Sequence, residues 1–279
     1  MQLLIPIKFL FISLISSFVI AENNFYIVQH IDIPKELNTL KFKPDKIHRS
    51  LRNSFLLLDS YKSELISINS SGKLNFSKGM GKRYNVFGEL IWAGISPNGI
   101  LVVDRLENEI VFLDLNLNYL HRNKIDLNIY PEMAQIDPWG RLFLYSNTYN
   151  GIFTFQKNYI SRKPFIDFSK EFYANYCMED FAINNDGEVA ILGCDGILSE
   201  FSQNGLKKKS IPIKISEPLF LIPLKNDWLI FNSKGDGISI KKLDKLSLPR
   251  ISSPILDVAT IEESFAILTK EQILVLNVR

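Results

Sequence analysis

The residues best suited to chemistry in this chain are acids that recur near the starts of short apolar runs: Glu89, Glu132, Glu179 with Asp180, Glu217 and Asp257. Carboxylates gathered by such a repeat could hold Ca²⁺, a hard ion that takes about six to eight oxygen ligands. Glu132, Glu179, Asp180 and Asp257 are the expected metal set, because they lie seven or eight residues before the turn markers that follow them. An ion held this way binds more weakly as pH falls and the carboxylates protonate. The acids as a group share no single offset, so the alternative is that several of them simply face solvent.

Little else in the sequence has a catalytic pattern. His30, His48 and His121 are scattered, and a general base needs a positioned partner, so each is read as a surface or hairpin residue. There is no Gly-Xaa-Ser-Xaa-Gly elbow and no His-Glu-Xaa-Xaa-His helix, and Gly79-Met80-Gly81-Lys82 lacks the strand-to-helix setting of a phosphate loop. Asp59 and Asp104 each end a strand, where a carboxylate can cap the backbone of the next turn. Trp92, Trp139 and Trp228, with Tyr130 and Tyr145, lie near turns and strand ends. Most are expected to pack between sheets, and Trp139, in a turn, is the one best placed to anchor a partner.

The elements that position these residues are short strands. From about residue 36 onward, β-branched and aromatic runs alternate with Gly, Asn, Asp and Pro, and helical periodicity is hard to find. The clearest unit runs from Phe87 to Leu120, with the turn Ser96-Pro97-Asn98-Gly99 inside it. Its pattern returns twice in the middle of the chain and more faintly in three flanking units. Taking Asn53, Gly99, Gly140, Gly187, Asp227 and Ser264 as markers, the period is near forty, which is the repeat of a propeller blade. The expected fold is all-β: a six-bladed β-propeller of four-stranded antiparallel blades. The sixth unit lacks a strand, and the N-terminal run Phe25 to Ile33 is expected to complete it and close the ring.

The stretch Ser96 to Leu120 resembles the NHL repeat, with Asn98-Gly99, Asp104, Asn108 and Ile110 in the repeat's places. The resemblance implies a six-bladed propeller put to many unrelated uses. Six-bladed lactonases and related hydrolases hold an ion at the channel mouth, but none of their wider motifs occurs here.

Cys177 and Cys194 flank the hairpin turn Asn184-Asn185-Asp186-Gly187, and a turn centred between Asn185 and Asp186 sets them opposite each other. They are expected to form a disulfide; the alternative is two buried thiols. Oxidation is allowed because residues Met1 to Ala21 have the layout of a signal peptide: Lys8, then an apolar stretch, then Val19-Ile20-Ala21. Cleavage after Ala21 leaves a propeller of residues 22–279, periplasmic or secreted, without a membrane span. An uncleaved anchor is the alternative.

The chain has 279 residues, 32 Lys+Arg against 30 Asp+Glu, and 46% hydrophobic residues, which excludes disorder and announces no strongly charged partner. Lys207-Lys208-Lys209 is its only basic run and reads as a solvated outer strand, so no nucleic acid is expected. The function expected is a monomeric, non-enzymatic scaffold that binds a protein, peptide or glycan on one face, with no cofactor. The alternative is a metal-assisted hydrolase or lyase at the channel mouth, with Ca²⁺.

Overall fold

The apolar runs form six sheets of antiparallel strands in a computed structural model that describes residues 25–50, 54–76, 87–171, 176–249, 251, 253–261 and 263–278. The proposed signal peptide lies outside these residues. Blade 1 is Lys46–Arg49, Phe55–Asp59, Glu64–Ile68 and Leu74–Phe76, and blade 2 is Leu90–Ser96, Gly99–Asp104, Glu109–Leu113 and Tyr119–Lys124. Blade 3 is Met133–Ile136, Leu142–Ser146, Gly151–Gln156 and Tyr159–Ile160, with Ile166–Asp167 as a further partner of its third strand. Blade 4 is Met178–Ile183, Val189–Gly193, Ile197–Phe201 and Lys207–Pro212, and blade 5 is Phe220–Leu224, Asp227–Phe231, Asp236–Ser239 and Lys245–Ser247. Ile255–Ile261, Ser264–Thr269 and Gln272–Val278 make three strands of blade 6.

The fourth strand of blade 6 is Phe25–Asp32, which runs antiparallel to Gln272–Val278 with Phe25 opposite Val278 and Asp32 opposite Gln272. The ring is therefore closed by the N-terminal strand, as the alternation of its residues predicts. The six first strands contact one another in sequence, blade 1 to blade 6 and back to blade 1, around a central channel.

A blade cannot bury both of its faces alone, and each junction between neighbouring blades holds its own apolar cluster. At the junction of blades 5 and 6, Phe25 packs edge-on against Phe265 at 5.4 Å and Phe231 at 5.9 Å. Helix is confined among the described residues to the single turns Glu36–Thr39 and Phe168–Glu171, and no described helix is long and apolar enough to cross a membrane.

Candidate functional site: the channel ring and the capped turns

The sheet registers place one residue of each first strand at a common level around the channel. Lys46, Trp92, Met133, Asp180, Phe220 and Asp257 pair with Leu58, Val103, Tyr145, Leu192, Phe231 and Leu268. In blades 2, 4 and 6 a bulge precedes the ring residue: the register skips Ile91, Glu179 and Leu256. A bulge re-aims the side chain that follows it. Here it helps turn Asp180 and Asp257 across to the next blade. Asp180 Oδ2 accepts the Leu221 backbone N–H of blade 5 at 2.8 Å, and its Oδ1 accepts the Phe181 N–H at 2.8 Å. Asp257 Oδ2 accepts the Ile47 N–H of blade 1 at 2.8 Å.

Burial pushes the Asp180 carboxyl up to about 7, helped by repulsion from Asp257 and opposed by its backbone bonds and by Lys46. Burial likewise raises Asp257 to about 6, with the Lys46 ammonium as the leading opposing influence. Lys46 is raised, first by the charge of Asp257. Its side chain is surrounded by protein yet reached by water. At neutral pH an ionised Asp257 thus faces a protonated Lys46, while Asp180 sits near its midpoint.

Of the expected metal set, only Asp180 and Asp257 are ring residues. Glu132 lies beside Tyr145, donating its backbone N–H to the Tyr145 carbonyl at 2.9 Å, and Glu179 is a bulge residue. Among the described residues no three His, Cys, Asp or Glu side chains form a group that could hold a metal ion. Of the other acids, Glu89 makes a paired contact with Arg105, at 2.7 Å to both Nε and Nη2, and Glu217 is exposed with φ of +51°.

His48 corrects a sequence expectation. It stands on the channel-lining strand of blade 1, not on the surface, and its ring meets that of Trp92 edge-on at 5.5 Å. Burial, with Lys46 nearby, lowers its pKa to about 3, so it is neutral at physiological pH. His48 Nε2 and Trp92 Nε1 are both buried without a hydrogen-bond partner. Trp92 lies over Gly94, where a Cβ would come within 2.3 Å of the indole, so only glycine fits there. His30 and His121 are on outer strands as expected, His30 beside Asp32 at 3.1 Å and His121 stacked on Phe112. Lys207, Lys208 and Lys209 are exposed on the outer strand of blade 4, with Lys208 and Lys209 paired to Glu188 and Glu200.

The strand-ending acids are caps. Asp59 Oδ1 accepts the Lys62 N–H inside its turn at 3.0 Å, while Oδ2 accepts the Lys43 N–H from the incoming loop at 2.7 Å. Asp104 repeats this with Glu107 in the turn at 3.1 Å, and with Gly88 at 2.6 Å and Glu89 at 3.0 Å from the loop. In blade 3 Ser146 takes the same place, accepting the Tyr149 N–H at 3.2 Å and donating its hydroxyl to the Ile129 carbonyl. All three turns end in a left-handed residue: Ser63, Asn108 and Asn150. The result is three like turns on successive blades, each tied to the loop that enters the first strand. Their tips expose Tyr61 (99%), Leu106 (63%) and Tyr149 (44%), and Tyr130 is exposed on the adjoining loop of blade 3.

The other tryptophans divide as the sequence implies: Trp92 and Trp228 are buried, whereas Trp139 is 57% exposed. One side of Trp139 nonetheless lies against the blade 4 turn, where a Cβ on Gly187 would sit 2.4 Å from the indole. Cys177 and Cys194 are disulfide-bonded with Cα atoms 5.5 Å apart, and both are exposed. Their opposition has a different origin from the one expected. The turn centres on Asp186, with Ile183 opposite Val189, one step off the predicted register; the bulge at Glu179 restores the step, so Met178 faces Gly193.

No protein-family model matches the chain, and no curated protein sequence does. Solved structures do resemble it. A streptogramin B lyase is 12% identical over 92% of this chain and 98% of that chain, with a TM-score of 0.61. YCF48 bound to D1 peptide is 11% identical over 85% and 78% of the two chains, with a TM-score of 0.59. PorZ, a surface component of the type-IX secretion system of Porphyromonas gingivalis, is 10% identical over 91% of this chain and 38% of that chain, at 0.53. At these identities the likeness shows the propeller fold alone.

Proposed function

We propose that this chain is an exported, monomeric binding propeller of NHL-like repeats that docks a protein or peptide on the face carrying the capped turns. The observation that carries this reading is the repetition of exposed Tyr61, Leu106 and Tyr149 on three rigidly tied turns of consecutive blades. Large apolar tips on a fixed scaffold supply contact area at little ordering cost, as binding faces require. The disulfide and the apolar N-terminal segment ending in Val19-Ile20-Ala21 support export of residues 22–279. A similarly folded protein, YCF48, is described with a bound peptide, which is consistent with peptide binding by such a fold.

A channel-mouth hydrolase or lyase is the second reading. It draws on the raised carboxylates of Asp180 and Asp257 beside Lys46, and on the lyase among proteins of like fold. Elemental analysis of the purified exported protein separates the two. The scaffold reading predicts no stoichiometric metal. About one ion per chain, lost together with a hydrolytic or lyase activity in Asp180→Ala and Asp257→Ala, overturns it.

A further inference from the structure

The register that sets the channel ring also sets a second common position. The residues that follow the six ring partners are Asp59, Asp104, Ser146, Gly193, Asn232 and Thr269. Asp59, Asp104 and Ser146 tie their turns to the entering loops. Asn232 does the same in blade 5: its Oδ1 accepts the Lys234 and Asp236 N–H groups at 3.0 Å, and its Nδ2 donates to the Ser216 carbonyl at 3.2 Å. Thr269 holds its own turn, accepting the Gln272 N–H at 3.2 Å.

Blade 4 alone has a glycine there, with no side chain to make the tie. The entering loop fills the place instead, because a Cβ on Gly193 would come within 2.6 Å of the Tyr176 hydroxyl oxygen. The tie between the same two segments is covalent, from Cys177 just before the first strand to Cys194 just after the second. One backbone bond lies beside it, from the Cys194 N–H to the Cys177 carbonyl at 3.1 Å. Both cysteines are exposed, whereas Asp59, Asp104 and Ser146 are buried. An exposed disulfide is within reach of an attacking thiolate and is the kind that opens readily.

We propose that Cys177–Cys194 is a reversible redox site, opened by a dithiol reductant, that frees the turn and the entering loop of blade 4 while the ring stays folded. One thiolate of the dithiol attacks a sulfur of the bond and forms a mixed disulfide, and the other cysteine leaves as a thiolate and takes up a proton. The second thiol of the reductant, deprotonated, attacks that mixed disulfide; the remaining cysteine leaves and is protonated, and the reductant departs as a disulfide. Two electrons and two protons pass to the protein. The opening is local because Gly193 has no side chain to take over the tie, while the caps of the other blades do not depend on the bond. It loosens blade 4's share of the capped-turn face and the start of the strand that carries Asp180. The site does not depend on what that face binds.

The test is amide hydrogen exchange of the whole exported protein, equilibrated without denaturant in graded ratios of reduced and oxidised dithiothreitol, with alkylation counting the free thiols. The expected result is reversible opening, two thiols appearing together, with the Cys194, Gly196 and Ile197 amides of the blade 4 turn exchanging at least about tenfold faster once the bond is open. The Glu107 and Asn108 amides of the blade 2 turn keep their rates, and tryptophan emission stays that of the folded ring. Cys177→Ser combined with Cys194→Ser should show the same pattern without reductant, and the reduced parent serves if that variant does not fold. Thiols that appear only in denaturant, a blade 4 turn whose exchange is unchanged by opening, an equal rise in the blade 2 turn, or loss of the folded emission overturns the proposal.

Discussion

Replacing Asp104 by alanine tests whether the acid at the end of the best-formed repeat is a cap or a catalytic group. Its carboxylate is fully buried and accepts three backbone N–H groups, from Gly88, Glu89 and Glu107. A hydrogen bond to a charged acceptor nets about 1.5 to 3 kcal/mol. Gly88 and Glu107 are exposed enough for water to replace part of what they lose, so the expected cost is about 3 to 4 kcal/mol and not the full sum. Asp104→Asn keeps Oδ1 for Glu89 and Glu107 but turns an amide N–H toward that of Gly88, and should cost about half as much. Urea unfolding of the two variants and the parent at one pH gives both values, with the slope unchanged if the unfolded state is the same. If Asp104→Ala unfolds within about 0.5 kcal/mol of the parent, or is more stable than it, the capping role is refuted and a functional acid is indicated.

Three further outcomes follow from the geometry. Replacing both Cys177 and Cys194 by serine, or reducing the exposed bond, opens a loop with a sequence separation of 17 and should lower stability by about 3 kcal/mol, measured as a fall in Tm with and without reductant. Asp180 has a folded pKa near 7 against about 3.9 unfolded, so the native state holds its proton more tightly; its contribution is full below about pH 4 and is lost as pH rises through 7. The stability of Asp180→Asn relative to the parent should therefore increase between pH 4 and pH 8, the opposite effect of His48 cancelling in the difference. Gly94→Ala forces Trp92 from its seat and should cost about 1 to 3 kcal/mol, with a changed tryptophan emission.

Much of this was legible in the sequence because a propeller repeats its turns. The marker positions found six blades, and the missing strand of the last unit pointed to Phe25–Asp32. The ring residues were also within reach: Lys46, Trp92, Met133, Asp180, Phe220 and Asp257 all lie seven residues before their markers. A search restricted to acids passes over that common offset, because the ring mixes a cation and three apolar residues with two carboxylates. What the sequence does not announce is the bulges. One extra residue at Ile91, Glu179 or Leu256 changes which side chain faces the next blade, and alternation of residue types cannot place it. The disulfide illustrates this, since its cysteines face each other through a shifted turn register offset by the bulge. His48 escapes a sequence reading for a different reason: its ring meets that of Trp92 on the next blade, a contact that spacing within one repeat does not show.

The most direct measurement is a crosslinking map of the exported protein in its native setting, with a photoreactive residue placed singly at Tyr61, Leu106 or Tyr149, and for the opposite face at Leu115, Leu206 or Trp139. A binding propeller that uses the capped turns predicts one shared crosslinked protein from the first three positions. It also predicts that unlabelled protein competes for that crosslink, and that Leu106→Ser weakens the crosslink from Tyr149 without lowering Tm. Crosslinks that arise equally from both faces, or only from the opposite one, contradict it.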